Sequence, residues 1–162
     1  ADAFPDRMKM PNKTVAEYLF EAKRYGQKNG VGFYSYAPDR KGKPKKSVDP
    51  SVEEYISKGK KNEVQVSDEE IVERMMLPMI FECARCLEEK IVGTPQEVDM
   101  GLVLGLGFPP FRAGALKYAD SIGLKKLEEL SAKYIELGQM YAITDGMKAM
   151  AAENKTYYQG KK

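Results

Sequence analysis

From Ser67 onward, apolar residues return every three or four positions. Ile71, Val72, Met75, Met76, Met79, Ile80, Cys83 and Leu87 follow that spacing, and Glu69, Glu73, Arg74, Glu82 and Glu88 fall mostly on the other side. Such a period predicts an amphipathic helix with that stripe toward the core. Ser67 and Glu70 form a capping box at its start, each side chain placed to satisfy the other's orphan backbone N–H. Pro78, which lacks the amide for the i−4 bond, should kink it. Thr94, Pro95 and Glu97 repeat the start signal for a helix carrying Val98, Leu102 and Val103, which Gly105 and Gly107 end. Pro110 begins another, in which Ala113, Gly114, Ala115 and Ala119 give a small-residue face that lets a second backbone approach closely. Leu124, Leu127, Leu130, Tyr134 and Leu137 mark the next, stopped by Gly138, and Thr144 or Asp145 opens a last one through about Glu153.

The first third of the chain is patterned differently. Thr14 and Glu17 start a helix to about Arg24, with Gly26 as its left-handed stop, and Gly30 to Tyr36 is an extended segment with alternating aromatic residues. Residues 37–66 then turn rich in Lys, Pro and Gly and cannot bury enough apolar area to offset chain entropy. They are expected to be a solvated linker with one short helix, VEEYISK, whose Val52, Tyr55 and Ile56 share a face. No βαβ alternation occurs, so the fold class expected is all-α.

Composition narrows the chemistry more than the fold. The 26 Lys and Arg against 24 Asp and Glu leave a net charge of +2, which creates no global field for nucleic acid. The chain has no His, so the commonest general base and the most frequent zinc ligand are both missing. Two Cys, many Lys and no apolar run long enough to span a bilayer fit a soluble intracellular protein. A start at Ala1 rather than Met is expected of a piece of a longer polypeptide.

The context of each candidate site decides its reading. The stretch Gly105-Leu106-Gly107 has the spacing of a dinucleotide loop, but a helix precedes it, Pro109 stands where a third glycine belongs and Pro110 removes an N–H. It reads as a helix–helix corner. Cys83 and Cys86 have no second ligand pair, which disfavours a metal site and leaves two small hydrophobic thiols. Arg40, Lys41, Lys43, Lys45 and Lys46 could steer an anion, yet no aromatic residue interleaves the run as a base-stacking platform, so no nucleic-acid partner is expected. Adjacent Glu69 and Glu70, and Glu88 and Glu89, suit helix ends rather than acid–base catalysis. No residues assemble a nucleophile, a base and an oxyanion site.

Three strings carry a resemblance: Gly26-Gln27-Lys28-Asn29-Gly30-Val31-Gly32-Phe33-Tyr34-Ser35-Tyr36; Arg74-Met75-Met76-Leu77-Pro78-Met79 with Arg85-Cys86-Leu87-Glu88-Glu89; and Asp99-Met100 through Gly105-Leu106-Gly107-Phe108-Pro109-Pro110-Phe111. Together they resemble the C-terminal region of the 3-hydroxyacyl-CoA dehydrogenase part of multifunctional β-oxidation enzymes, the fatty acid oxidation complex α-subunits. The resemblance implies a crotonase-type hydratase domain, an NAD-binding domain and two tandem helical C-terminal copies. Residues 1–36 would then end the first copy, 37–66 join the copies, 67–158 form the second, and 159–162 be a tail. It implies no catalytic, cofactor-binding or metal-binding residue here, because the family's catalytic His and its NAD loop lie in another domain. The active copy's Asn is matched by Glu73, and the Tyr assigned a substrate contact in bacterial relatives is matched by Leu104, whose simpler reading is a core residue at a helix end. The implied partners are the NAD-binding domain of the same chain, a thiolase subunit and acyl-CoA, in the bacterial cytoplasm, and a fragment with that interface bare would be prone to self-association. The alternative is a free-standing helical interaction module docking through Ala113 to Ala119.

Overall fold

The computed structural model of the chain describes residues 5–8, 12–60 and 64–158, which leaves the expected tail at 159–162 outside the described residues. Its elements are α1 (Pro5–Met8), α2 (Val15–Glu21), β1 (Tyr34–Pro38), β2 (Pro44–Val48), α3 (Glu53–Gly59), α4 (Asp68–Glu88), α5 (Pro95–Leu106), α6 (Ala115–Ile122), α7 (Leu124–Tyr134) and α8 (Asp145–Ala152). They form two units, one from α1 with α4 to α8 and a smaller one from α2, the hairpin and α3. The class is helical as expected, with one two-stranded sheet added.

In the larger unit α4, α5 and α8 begin where the sequence places them, because caps act locally. Ser67, Thr94 and Thr144 each accept a hydrogen bond from the backbone N–H three residues on, and Thr94 with Glu97 completes a reciprocal box. The core is filled by Leu77, Ile80, Phe81 and Ala84 of α4, Ala115, Leu116 and Ala119 of α6, Leu127 of α7 and Met147 of α8. This corrects the expected face of α4 in part, since Ile80 and Cys83 of the predicted stripe are buried. Met75 is 70% exposed and Val72, Ile71 and Met79 are also exposed, while Leu77 and Phe81, absent from the predicted stripe, are buried. Helix α4 is apolar on two sides, and only the arrival of α6 and α7 decides which side is inward. It runs unbroken through Pro78.

Side-chain bonds lock the helices to the loops. The buried Ser131 hydroxyl donates to Tyr141 O at 2.6 Å and accepts from Ile143 N at 3.0 Å, so α7 holds the loop that leads into α8. The Tyr141 hydroxyl donates to Arg74 O, and Arg85 donates to Ala142 O. The single turn α1, which no pattern signalled, is tied by ion pairs from Arg7 to Glu82 of α4 and to Glu89 at its C-cap.

The smaller unit departs further from expectation. Its Thr14–Glu17 box forms, but α2 ends at Ala22 with Lys23 in the left-handed region, three residues before Gly26. Tyr34 to Tyr36 are extended as expected, but they pair with residues of the expected linker in a hairpin: Tyr34 with Val48, Tyr36 with Lys46 and Pro38 with Pro44. Asp39 closes its turn by accepting from the amides of Lys41 and Lys43. The expected helix is present as α3, preceded by a 3-10 turn that Asp49 caps. Arg24 joins these pieces. It donates to Gly32 O, to the Ser51 hydroxyl and to Asp49 Oδ2 at 2.7 Å, and lies over the Tyr55 ring.

Candidate functional site

The glycine loop nominated by the sequence is the C-cap of α5. Gly107 takes the left-handed conformation with φ +69°, and Phe108, which is buried, donates its N–H to Leu102 O. Pro110 opens a 3-10 turn rather than a helix, and α6 starts only at Ala115. Gly114, its N-cap, has no side chain to offer, so the cap comes from elsewhere. Asp99 of α5, only 2% exposed, accepts from Leu116 N at 2.8 Å, Lys117 N at 2.9 Å and the Tyr158 hydroxyl at 2.8 Å. A helix N-terminus with free amides is where a phosphate would bind. Here an internal carboxylate already occupies it, so the loop does not fit the pyrophosphate of a dinucleotide.

Capping by Asp99 fixes the corner between α5 and α6 and turns its other side outward. Leu104 is 77% exposed and Phe111 82%, with Leu106 beside them in sequence also exposed. The expectation that Leu104 is a core residue is therefore corrected: at the last turn of α5 the core is reached by Phe108 instead. The Arg112 guanidinium stands over the rings of Phe111 and Tyr118.

The remaining candidates have structural partners. Glu73 accepts from the Tyr134 hydroxyl and from Lys133 Nζ, and the Tyr134 bond holds its carboxyl below the usual range. It ties α4 to α7. Glu88 accepts from the Thr144 hydroxyl at the start of α8. Burial pushes the Cys83 thiol up to about 12 and raises that of Cys86, so both are protonated and poorly nucleophilic at neutral pH. Among the described residues no group of three or more Cys, Asp or Glu is placed to hold a metal ion. The small-residue face foreseen at Ala113 to Ala119 is not a docking face, since Ala115, Leu116 and Ala119 lie fully inside the core.

A second feature escaped the sequence reading. In the smaller unit, Phe20 and Tyr25, Phe33, Tyr34 and Tyr36 surround an open concavity of about 830 Å³ above Leu19. Among the described residues, the only charged ones lining it are Arg24 and Lys28. Its aromatic residues come from a helix, a glycine loop and a strand, so their convergence could not be read from spacing. The hairpin also brings Lys46 over the Tyr34 ring at 4.8 Å, an interleaving of cation and aromatic that the linear sequence hides.

Residues 71–161 match the family described as 3-hydroxyacyl-CoA dehydrogenase, C-terminal domain. The chain belongs to this family. The match takes in most of α4 and all of α5 to α8. Over 158 residues, 98% of the chain, it is 49% identical to the fatty acid oxidation complex subunit alpha of Pseudomonas savastanoi pv. phaseolicola, of whose length it spans 22%. Among solved structures it resembles the dehydrogenase part of multifunctional enzyme 1 from C. elegans, with a TM-score of 0.55 at 18% identity over 91% of this chain and 35% of that one. For this 3-hydroxyacyl-CoA dehydrogenase C-terminal domain the likeness supports the fold. Among the described residues no helix is long and apolar enough to cross a membrane.

Proposed function

We propose that the chain is the C-terminal helical part of a multifunctional β-oxidation enzyme and acts by packing on that enzyme's NAD-binding domain, helping to close the acyl-CoA cleft. The observation that carries this reading is the likeness at 49% identity to the α-subunit of a fatty acid oxidation complex, across nearly the whole chain. The parent would oxidise a 3-hydroxyacyl-CoA with NAD, hydrate enoyl-CoA in the same polypeptide and work beside a thiolase subunit in the bacterial cytoplasm.

On this reading the larger unit is the second of two helical copies, and the smaller unit ends the first and joins it to the second. The chain's own contribution is positional. Glu73, at the position of the active copy's Asn, is committed to Tyr134 and Lys133 and so serves α4–α7 packing. Leu104, exposed on a rigid corner, offers an apolar contact to an acyl chain or to the neighbouring domain but no hydroxyl. On this reading NAD is bound by another domain of the parent. The large exposed side chains at Leu104, Phe111 and Met75 also make self-association of the isolated chain an expected property.

The deciding experiment is NADH formation from a medium-chain 3-hydroxyacyl-CoA by the rest of the parent enzyme, produced separately, with and without this chain. Restored turnover that neither piece shows alone supports the reading. Full activity without the chain, or none with both pieces folded and bound, refutes it. The free-standing module is favoured if the chain is a stable monomer indifferent to the rest.

A further inference from the structure

We propose that the aromatic concavity of the smaller unit is the seat for an amphipathic segment of the same parent polypeptide, lying outside these 162 residues, that presents apolar side chains to the rings and a carboxylate to Lys28. The inference rests on the reading that the chain is part of a longer enzyme.

Among the described residues of the smaller unit, Leu19, 3% exposed, is the only large apolar side chain that is buried. Phe20, Tyr25, Phe33 and Tyr34 remain exposed around it. A unit of about this size normally has to bury over half of its unfolded surface to persist, and α2, at seven residues, is too short to hold by itself. Polar bonds from Arg24 organise the unit, but they do not replace an apolar core. The missing side of that core is the concavity.

Two observations select the occupant. Among the described residues the lining charges are cationic only, and Arg24 already pairs with Asp49, which leaves Lys28 without an ion pair there. An acidic group is therefore the complement. The relative of which this chain spans 22% carries more than three quarters of its length elsewhere, so a covering segment is available within one polypeptide and needs no second molecule. The larger unit, with eighteen buried apolar side chains among the described residues, has no such need.

The test uses the full-length enzyme. Hydroxyl-radical labelling of Phe20, Tyr25, Phe33 and Tyr34 is compared between the native and the denatured polypeptide, and carbodiimide joins Lys28 to any carboxylate in contact. The seat is supported by labelling about tenfold lower in the native state, as expected for residues protected by stable structure, with a Lys28 crosslink to an Asp or Glu outside residues 1–162 that K28R abolishes. Labelling within about twofold of the denatured level, as surface residues show, overturns it. So does protection that appears only on adding NAD or a 3-hydroxyacyl-CoA, which would make the concavity a ligand site, and so does a crosslink between isotopically light and heavy molecules. Protection without any Lys28 crosslink overturns the acidic character of the occupant. Dehydrogenase turnover is measured on the same samples: activity with the rings still labelled refutes the seat and spares the functional reading, and protected rings in a folded but inactive enzyme do the reverse.

Discussion

Asp99 caps a helix from another helix, and its substitution should act on three donors at once. D99A leaves the amides of Leu116 and Lys117 and the Tyr158 hydroxyl without their acceptor, and unsatisfied buried donors of this kind predict a loss of about 3 kcal/mol in chemical denaturation. D99N keeps one acceptor oxygen and should fall between the two. Gly114 is bound to the same feature. With φ +113° and an added Cβ only 2.2 Å from the Asp99 side chain, G114A should destabilise by a similar amount, about 3 kcal/mol. Asp49 makes a prediction in pH. The Ser51 hydroxyl, then the Arg24 guanidinium, lower its pKa from 3.8 to about 2. The folded value lies below the unfolded one, so the stabilisation is complete above about pH 4 and is lost as pH falls toward 2. D49N retains the cap of the 3-10 turn without the charge, and amide exchange in the smaller unit should then lose its acid dependence in that window. The contacts of Asp99 and Gly114 were not legible beforehand. The one hint of Asp99's role was an acid inside the apolar string from Val98 to Leu106, upstream of a helix start with no Ser, Thr or Asp to cap it.

Helices α7 and α8 were legible as elements because each carries one apolar stripe and a nearby boundary signal: Gly138 closes the 3-10 turn that follows α7, and Thr144 caps α8. Helix α4 was legible in extent but not in orientation. Its sequence shows two apolar sides, and local periodicity cannot choose between them. The choice is testable: L77A should lower stability by about 2–5 kcal/mol, as truncation in a packed core does, whereas M75A should change it by less than about 0.5 kcal/mol, as exposed substitutions do. The reverse ranking would put the predicted stripe inside after all. The hairpin was missed for a related reason. Strand β2, PKKSV, is exposed along its whole length and polar but for its ends, and its pairing with the Tyr-bearing β1 is a tertiary event that no propensity scale records.

For the molecule as a whole, the unequal cores of the two units predict unequal stability. In the isolated chain, amides of α2, β1, β2 and α3 should exchange with solvent well before those of α4, α6 and α7, as hydrogen-exchange mass spectrometry would show. Equal protection throughout would mean that the smaller unit needs no outside support. The resemblance could identify the larger unit because its family signal lies in short strings such as Arg85-Cys86-Leu87-Glu88-Glu89, whereas the need of the smaller unit for covering material appears only when its rings are seen around a single buried leucine. Asp120 accepts from the amides of Tyr157 and Tyr158, and Tyr158 reaches back 59 positions to Asp99. During synthesis the fastener is therefore made after everything it fastens. Helices α5 and α6 must find one another before it exists, so it is a latch on a door already closed: D120A should leave the rate of folding nearly unchanged and raise the rate of unfolding.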